Sequence, residues 1–289
     1  MSDPMPQTLS ELCEVLRPEH ELLGARFGHL DKIAAMIPLS YVCPEEEEGA
    51  FNKKAALVDL SGLPTILQSG KTAVPFTEMT YAGNKLAVGQ CAFEALLLGD
   101  GTLASISLLA RSGDKEFVSW CVPVRAAVTF AWLQFLLRSA GKTGQPFQGL
   151  EIHDVSSKLL PLLLAGPSSS NVLSDYLGEQ QLPTSGQTAN LYLDKILCLV
   201  VALPAALAPS YLLLVPPVAA RVLWRSLLSF QEVVPVGRLA AKAWAEDALP
   251  WLTWVSTKDQ VIKSMSELHD AQVLRSGHDF IGARGLLSR

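Results

Sequence analysis

Three of the five histidines stand directly before an aspartate, at His153-Asp154, His269-Asp270 and His278-Asp279. Pairs of this kind serve metal-dependent phosphohydrolases, in which imidazole and carboxylate bridge metals with further ligands from neighbouring helices. Glu267, two residues before His269, and His20-Glu21 with His29-x-Asp31 supply further candidate ligands. Adjacent residues on a helix, however, point about 100° apart, so a dipeptide alone builds no site. His278-Asp279 also lies near the end of the sequence with no later ligand behind it. The plainer reading is of exposed histidines bonded to nearby carboxylates, and no metal or other cofactor is expected.

Two tripeptides, Gly70-Lys71-Thr72 and Gly141-Lys142-Thr143, match the end of a phosphate-binding loop. That loop needs a first glycine five positions before the second, so that backbone N–H groups can cradle phosphates. Those positions hold Thr65 and Leu136. Pro75 follows the first tripeptide too closely for the helix the motif requires, and the second follows a helix where a strand is needed. For nucleophilic chemistry there is no Gly-x-Ser-x-Gly. Ser112 and Lys115 have Ser-x-x-Lys spacing, but within a turn, and Cys121 beside Trp120 reads as a buried, inert thiol.

Basic residues form small groups. Arg221 with Arg225, and Arg238 with Lys242, are each four apart on one helix face. If their helices flank a groove, these four could touch RNA or DNA phosphates without reading sequence. A solvated face, or pairing with Glu232, Glu246 and Asp247, is the simpler alternative.

The elements that must position these groups centre on one stretch. From Ile196 to Ala220 run twenty-five residues without a charge. The length would suit a membrane span. Pro204, Pro209, Pro216 and Pro217 argue against one, because lipid cannot pair the carbonyls they free. The spacing predicts instead a buried helix over residues 188–203, a short apolar segment Tyr211–Val215, and a helix starting at Pro217, where a missing N–H costs nothing.

Upstream, Thr8 and Glu11 form a capping box before a short helix, and a second helix is expected over about 19–37. Glu45–Glu48 read as a solvated loop. A three-stranded antiparallel meander is expected from Ala92–Leu98, Thr102–Ala110 and Glu116–Val122, joined by turns at Gly99-Asp100-Gly101 and Ser112–Lys115. A helix over 125–140 closes on Gly141. Further helices are expected over 155–164, 171–177, 237–248 and 258–275.

The fold class expected is therefore α+β, with an N-terminal helical arm, a central antiparallel meander and a mostly α C-terminal half. The division expected is 1–50 (arm and acidic loop), 51–145 (α+β portion) and 146–289 (mostly helical portion).

Charged residues make up only 18% of the chain, against the usual ~25%, and mean hydropathy is +0.27. So little charge leaves part of the surface to be covered by a partner, and copies of the chain itself are the economical choice. Tyr211, Trp244, Trp251 and Trp254 are the candidate self-association anchors. Net charge of −5 excludes a global basic field. Five scattered cysteines without a Cys-x-x-Cys pair fit reduced thiols in an intracellular, cytoplasmic setting. Met1-Ser2-Asp3-Pro4 opens no secretory signal.

These features favour a non-enzymatic, self-associating assembly protein (a viral shell, nucleocapsid or matrix-like subunit, in the virion if viral). Its terminal arms, 1–18 and 276–289, would exchange with neighbours. The alternatives are a metal-dependent hydrolase using the His-Asp pairs and a membrane-associated protein using residues 196–220.

Overall fold

The computed structural model describes residues 6–139, 144, 146–204 and 208–288. It divides into two units, Met1–Leu63 with Ser156–Leu249 and Pro64–Val155 with Pro250–Arg289. The class is α+β, as expected.

The first unit is built on a six-stranded sheet in the order Thr188–Leu193, Ile196–Ala202, Ser210–Val215, Leu160–Ala165, Ala55–Asp59, Val233–Pro235. All pairs are antiparallel except the last. Three of its four inner strands, Ser210–Val215, Leu160–Ala165 and Ala55–Asp59, are buried along their whole length. One face packs against helices Ser169–Leu177 and Pro217–Leu228, through Val172, Leu173, Leu223 and Trp224. On the other face Ala56, Val58 and Leu163 meet Phe51 of helix Pro44–Lys53 and Ala240 and Ala241 of helix Arg238–Ala248. Strands covered on both faces read as continuous apolar runs without alternation. That is where the apolar excess goes.

The helix expected over 188–203 is accordingly a hairpin. Leu193 pairs with Ile196 across Asp194 and Lys195, whose φ values of 49° and 68° make the left-handed pair of a two-residue turn. Such turns usually announce themselves with Asn-Gly or Asp-Gly, and Asp-Lys does not. Leu160–Ala165 is likewise a strand in place of the helix expected over 155–164, so the C-terminal half mixes strands with helices. The helix from Pro217 is present with proline in its first turn, as are Ser169–Leu177 and Arg238–Ala248. Of residues 258–275, only Met265–Asp270 is helical.

Two N-terminal expectations are corrected. Thr8 does cap Leu9–Glu14 with Glu11 reaching back. The second helix, though, covers only Arg17–Leu22, and residues 26–28 and 37–40 pair as strands. Gly24 at φ +75° turns the chain there. Residues 44–53 are a helix rather than a loop, with Pro44 in its first turn and Glu45, Glu46 and Glu47 facing the positive end of its dipole.

Gly166 joins strand Leu160–Ala165 to helix Ser169–Leu177 at φ +125°, and a β-carbon there would lie 2.3 Å from the Lys54 carbonyl oxygen. Gly166→Ala is expected to cost about 2–4 kcal/mol through left-handed strain and a backbone clash. Urea denaturation measures it, and an unchanged midpoint would refute it.

The second unit carries a five-stranded antiparallel sheet in the order Cys91–Leu97, Leu103–Gly113, Glu116–Cys121, Thr65–Gly70, Leu150–Asp154. The expected meander forms its first three strands. Helices Ala73–Thr80 and Ala126–Arg138 pack on one face through Phe76 and Leu133, against Ile66, Leu96, Leu109, Phe117 and Ile152. The closure expected at Gly141 lies outside the described residues. Among those residues no helix is long and apolar enough to cross a membrane.

Candidate functional site

The residues nominated from sequence are mostly engaged in the fold. Arg225 makes a two-pronged ion pair with Glu19, with both N···O distances 2.7 Å. Arg221 donates through Nε to the Val15 carbonyl at 2.8 Å, and Lys242 pairs with Asp31 at 2.6 Å. Arg238 is buried and donates to the carbonyls of Asp59 and Ser61. Trp244 stacks on Phe51 with ring centroids 4.5 Å apart. Trp251 packs on Phe93, and Lys263 lies over the ring of Trp254. The Tyr211 hydroxyl meets the Ser170 hydroxyl at 2.8 Å, beside a cleft of about 260 Å³ also lined by Ser185 and Ser210.

The His-Asp dipeptides do not converge on a metal. Among the described residues no three His, Cys, Asp or Glu side chains stand close enough to hold one. His153 pairs with Glu151, while Asp279 binds Arg275 and Lys85. Helix Ala73–Thr80 does follow Gly70-Lys71-Thr72, with Pro75 accommodated in its first turn. The N–H groups of Gly70 and Lys71 nevertheless already bond the carbonyls of Lys115 and Gly149, so they form no phosphate cradle. Gly141-Lys142-Thr143 lies outside the described residues.

Each unit hides a polar cluster that sequence reading missed. In the first, His20 is fully buried between Asp59, 2.9 Å from its Nε2, and Tyr41, 2.8 Å from its Nδ1. Ser61 donates its N–H to the other Asp59 oxygen. Burial raises the Asp59 carboxyl, but hydrogen bonding and charge from His20, with the bonds from Ser61, more than offset it and hold the group below its usual range. Burial also lowers the Arg238 guanidinium, against the pull of Asp59. His20, Tyr41, Asp59 and Arg238 each have a side-chain or backbone partner in this network. It ties helix Arg17–Leu22, strand Ala55–Asp59 and helix Arg238–Ala248 together.

The second cluster lies on the helix-covered face of the five-stranded sheet. Glu94 stands opposite Ser107, and Ser107 opposite Cys121; Leu96 stands opposite Ser105, and Ile66 opposite Ser119. Side chains two apart share a face. Gln68, Glu94, Ser105, Ser107, Ser119 and Cys121 therefore replace apolar residues on a face that otherwise forms the core. Gln68 donates to the Tyr81 hydroxyl at 3.1 Å, and Tyr81 donates to Ser119 at 3.2 Å. Glu94 is 1% exposed, yet among the described residues no side chain bonds its carboxylate, which has only the backbone N–H groups of Asn84 and Gly83 beside it, and the Gln68 side-chain oxygen lacks a partner. Burial pushes the Glu94 carboxyl up to about 8, despite the nearby N–H groups of Asn84 and Gly83 and the charge of Arg275. Burial likewise moves the Tyr81 phenol up to about 12. Arg275 is spent elsewhere, on the carbonyls of Glu78, Tyr81, Gly83 and Asp279 and the Asp279 carboxylate.

A buried acid without a partner costs several kcal/mol, and proteins retain such groups mainly where function uses them. The available sequence signal was a lone glutamate in the apolar strand Cys91–Leu97.

Residues 16–244 match the family model for the GCVT N-terminal domain. A probable aminomethyltransferase from Aeropyrum pernix is 26% identical over 167 residues, which is 57% of this chain and 42% of that protein. An aminomethyltransferase of Thermus thermophilus is 28% identical over 156 residues, or 53% of this chain and 42% of the relative. The match thus spans about two fifths of these curated relatives' length. The glycine cleavage system aminomethyltransferase T from Bartonella henselae superposes with a TM-score of 0.72 over 95% of this chain and 73% of that one. At 21% identity that likeness speaks to fold alone. The family match overturns the self-associating shell and the RNA- or DNA-binding partner, and with them the virion setting. Part of the apolar excess behind that expectation lies in strands buried along their whole length. The chain belongs to the GCVT N-terminal domain family.

Proposed function

We propose that this chain is an enzyme of aminomethyl transfer, with its ligand-binding face on the five-stranded sheet at Gln68, Tyr81 and Glu94. In such a reaction the bond from a donor heteroatom to the methylene of –CH2–NH2 breaks and a bond from an acceptor heteroatom to that carbon forms. The acceptor's proton ends on the donor. The carrying observation is the set of buried, unpartnered acceptor atoms on a sheet face that would otherwise be solid core. Membership of a family whose curated relatives are named aminomethyltransferases supports reading that face as a site for this chemistry. An intracellular, cytoplasmic setting goes with this reading and is supported by five free cysteines.

The test is transfer of a ¹³C-labelled methylene from S- or N-aminomethylated small donors to thiol or amine acceptors, followed by NMR. The full chain is expected to exceed the protein-free rate at least tenfold. Tyr81→Phe is expected to lower that rate about 10- to 100-fold, the worth of one buried hydrogen bond. A folded protein that never exceeds background across these donors would refute the assignment.

A further inference from the structure

We infer that Glu94 and its neighbours on the sheet form a binding site for the protonated primary amine of a small ligand. The inference rests on the aminomethyl reading and narrows it to the group that anchors the nitrogen.

The orphaned side-chain atoms around Tyr81 are all acceptors: both oxygens of Glu94 and the side-chain oxygen of Gln68. The complement of the ionised carboxylate is a group with several N–H donors and no acceptor, which describes an ammonium. The protein supplies only the backbone N–H groups of Gly83 and Asn84 there, and no side-chain cation pairs with the carboxylate among the described residues. Arg275, the cation whose charge reaches Glu94, has five hydrogen bonds to other acceptors. Gly83 offers no side chain, and a β-carbon there would fall 1.7 Å from a Glu94 oxygen. Ser107, directly across the strand pair, is fully buried and makes only a long 3.4 Å contact with Ser105. Its oxygen is therefore free to accept a second N–H.

A carboxyl that is mostly protonated in the free protein must ionise to pair with an ammonium. Amine binding is therefore expected to release close to one proton near pH 6.5.

Methylammonium chloride is the probe, titrated into the full chain by calorimetry at pH 6.5 in two buffers of different ionisation heat. Tetramethylammonium, with the same charge and no N–H, is the comparison. Saturable one-to-one binding of methylammonium with proton release is expected, and none of tetramethylammonium. Glu94→Gln is expected to weaken binding at least tenfold while melting no lower than wild type. The site is refuted if wild type fails to bind methylammonium, if Glu94→Gln binds it equally, or if tetramethylammonium binds as well. Labelled-methylene transfer without methylammonium binding removes this site and leaves the proposed activity standing. Binding without transfer removes the activity and keeps the site.

Discussion

Glu94→Gln is expected to raise the melting temperature on the order of 10 °C at pH 9 and by less than about 2 °C at pH 5, at 2–4 °C per kcal/mol for a domain of this size. The folded chain raises this carboxyl from an ordinary 4.5 to about 8 because burial outweighs the backbone N–H groups and the Arg275 charge beside it. An acid whose folded pKa lies above its unfolded value binds its proton more tightly when folded. Its contribution is most favourable below about 4.5 and declines as pH rises toward about 8, where it levels off. A shift of this size corresponds to roughly 5 kcal/mol. Glutamine keeps the shape and carries no charge, so it removes the loss at high pH and changes little at low pH. Thermal melts of both proteins from pH 5 to 9 check this, and parallel curves would show that Glu94 ionises freely. A stabilising substitution at a buried residue is the signature of a group kept for use rather than for folding.

What the sequence revealed and what it hid follow from where each signal lives. The capping box at Thr8 and Glu11, the proline at the start of helix Pro217–Leu228 and the meander between Cys91 and Cys121 are local, and each was legible. The hairpin at Asp194-Lys195 was not, because both its strands are largely apolar and its turn uses residues that seldom take positive φ. Helical and strand readings of a short apolar run cannot be separated by periodicity when both faces are covered. The sites were hidden for a different reason. His20 meets Asp59 from thirty-nine positions away, and Glu94 acquires its environment from Tyr81, Gly83 and Ser107 on other segments. The adjacent His-Asp pairs drew attention because they were contiguous. The working polar groups are assembled by tertiary structure.

Asp59→Asn is expected to destabilise the first unit by about 3–5 kcal/mol, because it breaks a buried charged network from one side. Asp59 accepts from His20 and from the Ser61 N–H, and its charge favours the buried guanidinium of Arg238 more than that of Asp31 does, while the guanidinium's hydrogen bonds go to backbone carbonyls. Asparagine keeps the volume but leaves the Arg238 charge only the weaker compensation of Asp31 and offers His20 a weaker acceptor. The pH dependence has the opposite sign to that of Glu94. Asp59 is held below its ordinary value of 3.8 in the folded state, so its contribution is present above that value and lost as pH falls through the lowered one. Wild type and Asp59→Asn should therefore differ most near neutral pH and converge on acidification, as read from urea midpoints. Pairing Asp59→Asn with His20→Gln should give a coupling energy of about 1–3 kcal/mol. Additive losses would mean that His20 and Asp59 are neighbours without being partners, and that the tie between helix Arg17–Leu22 and strand Ala55–Asp59 comes from apolar packing instead.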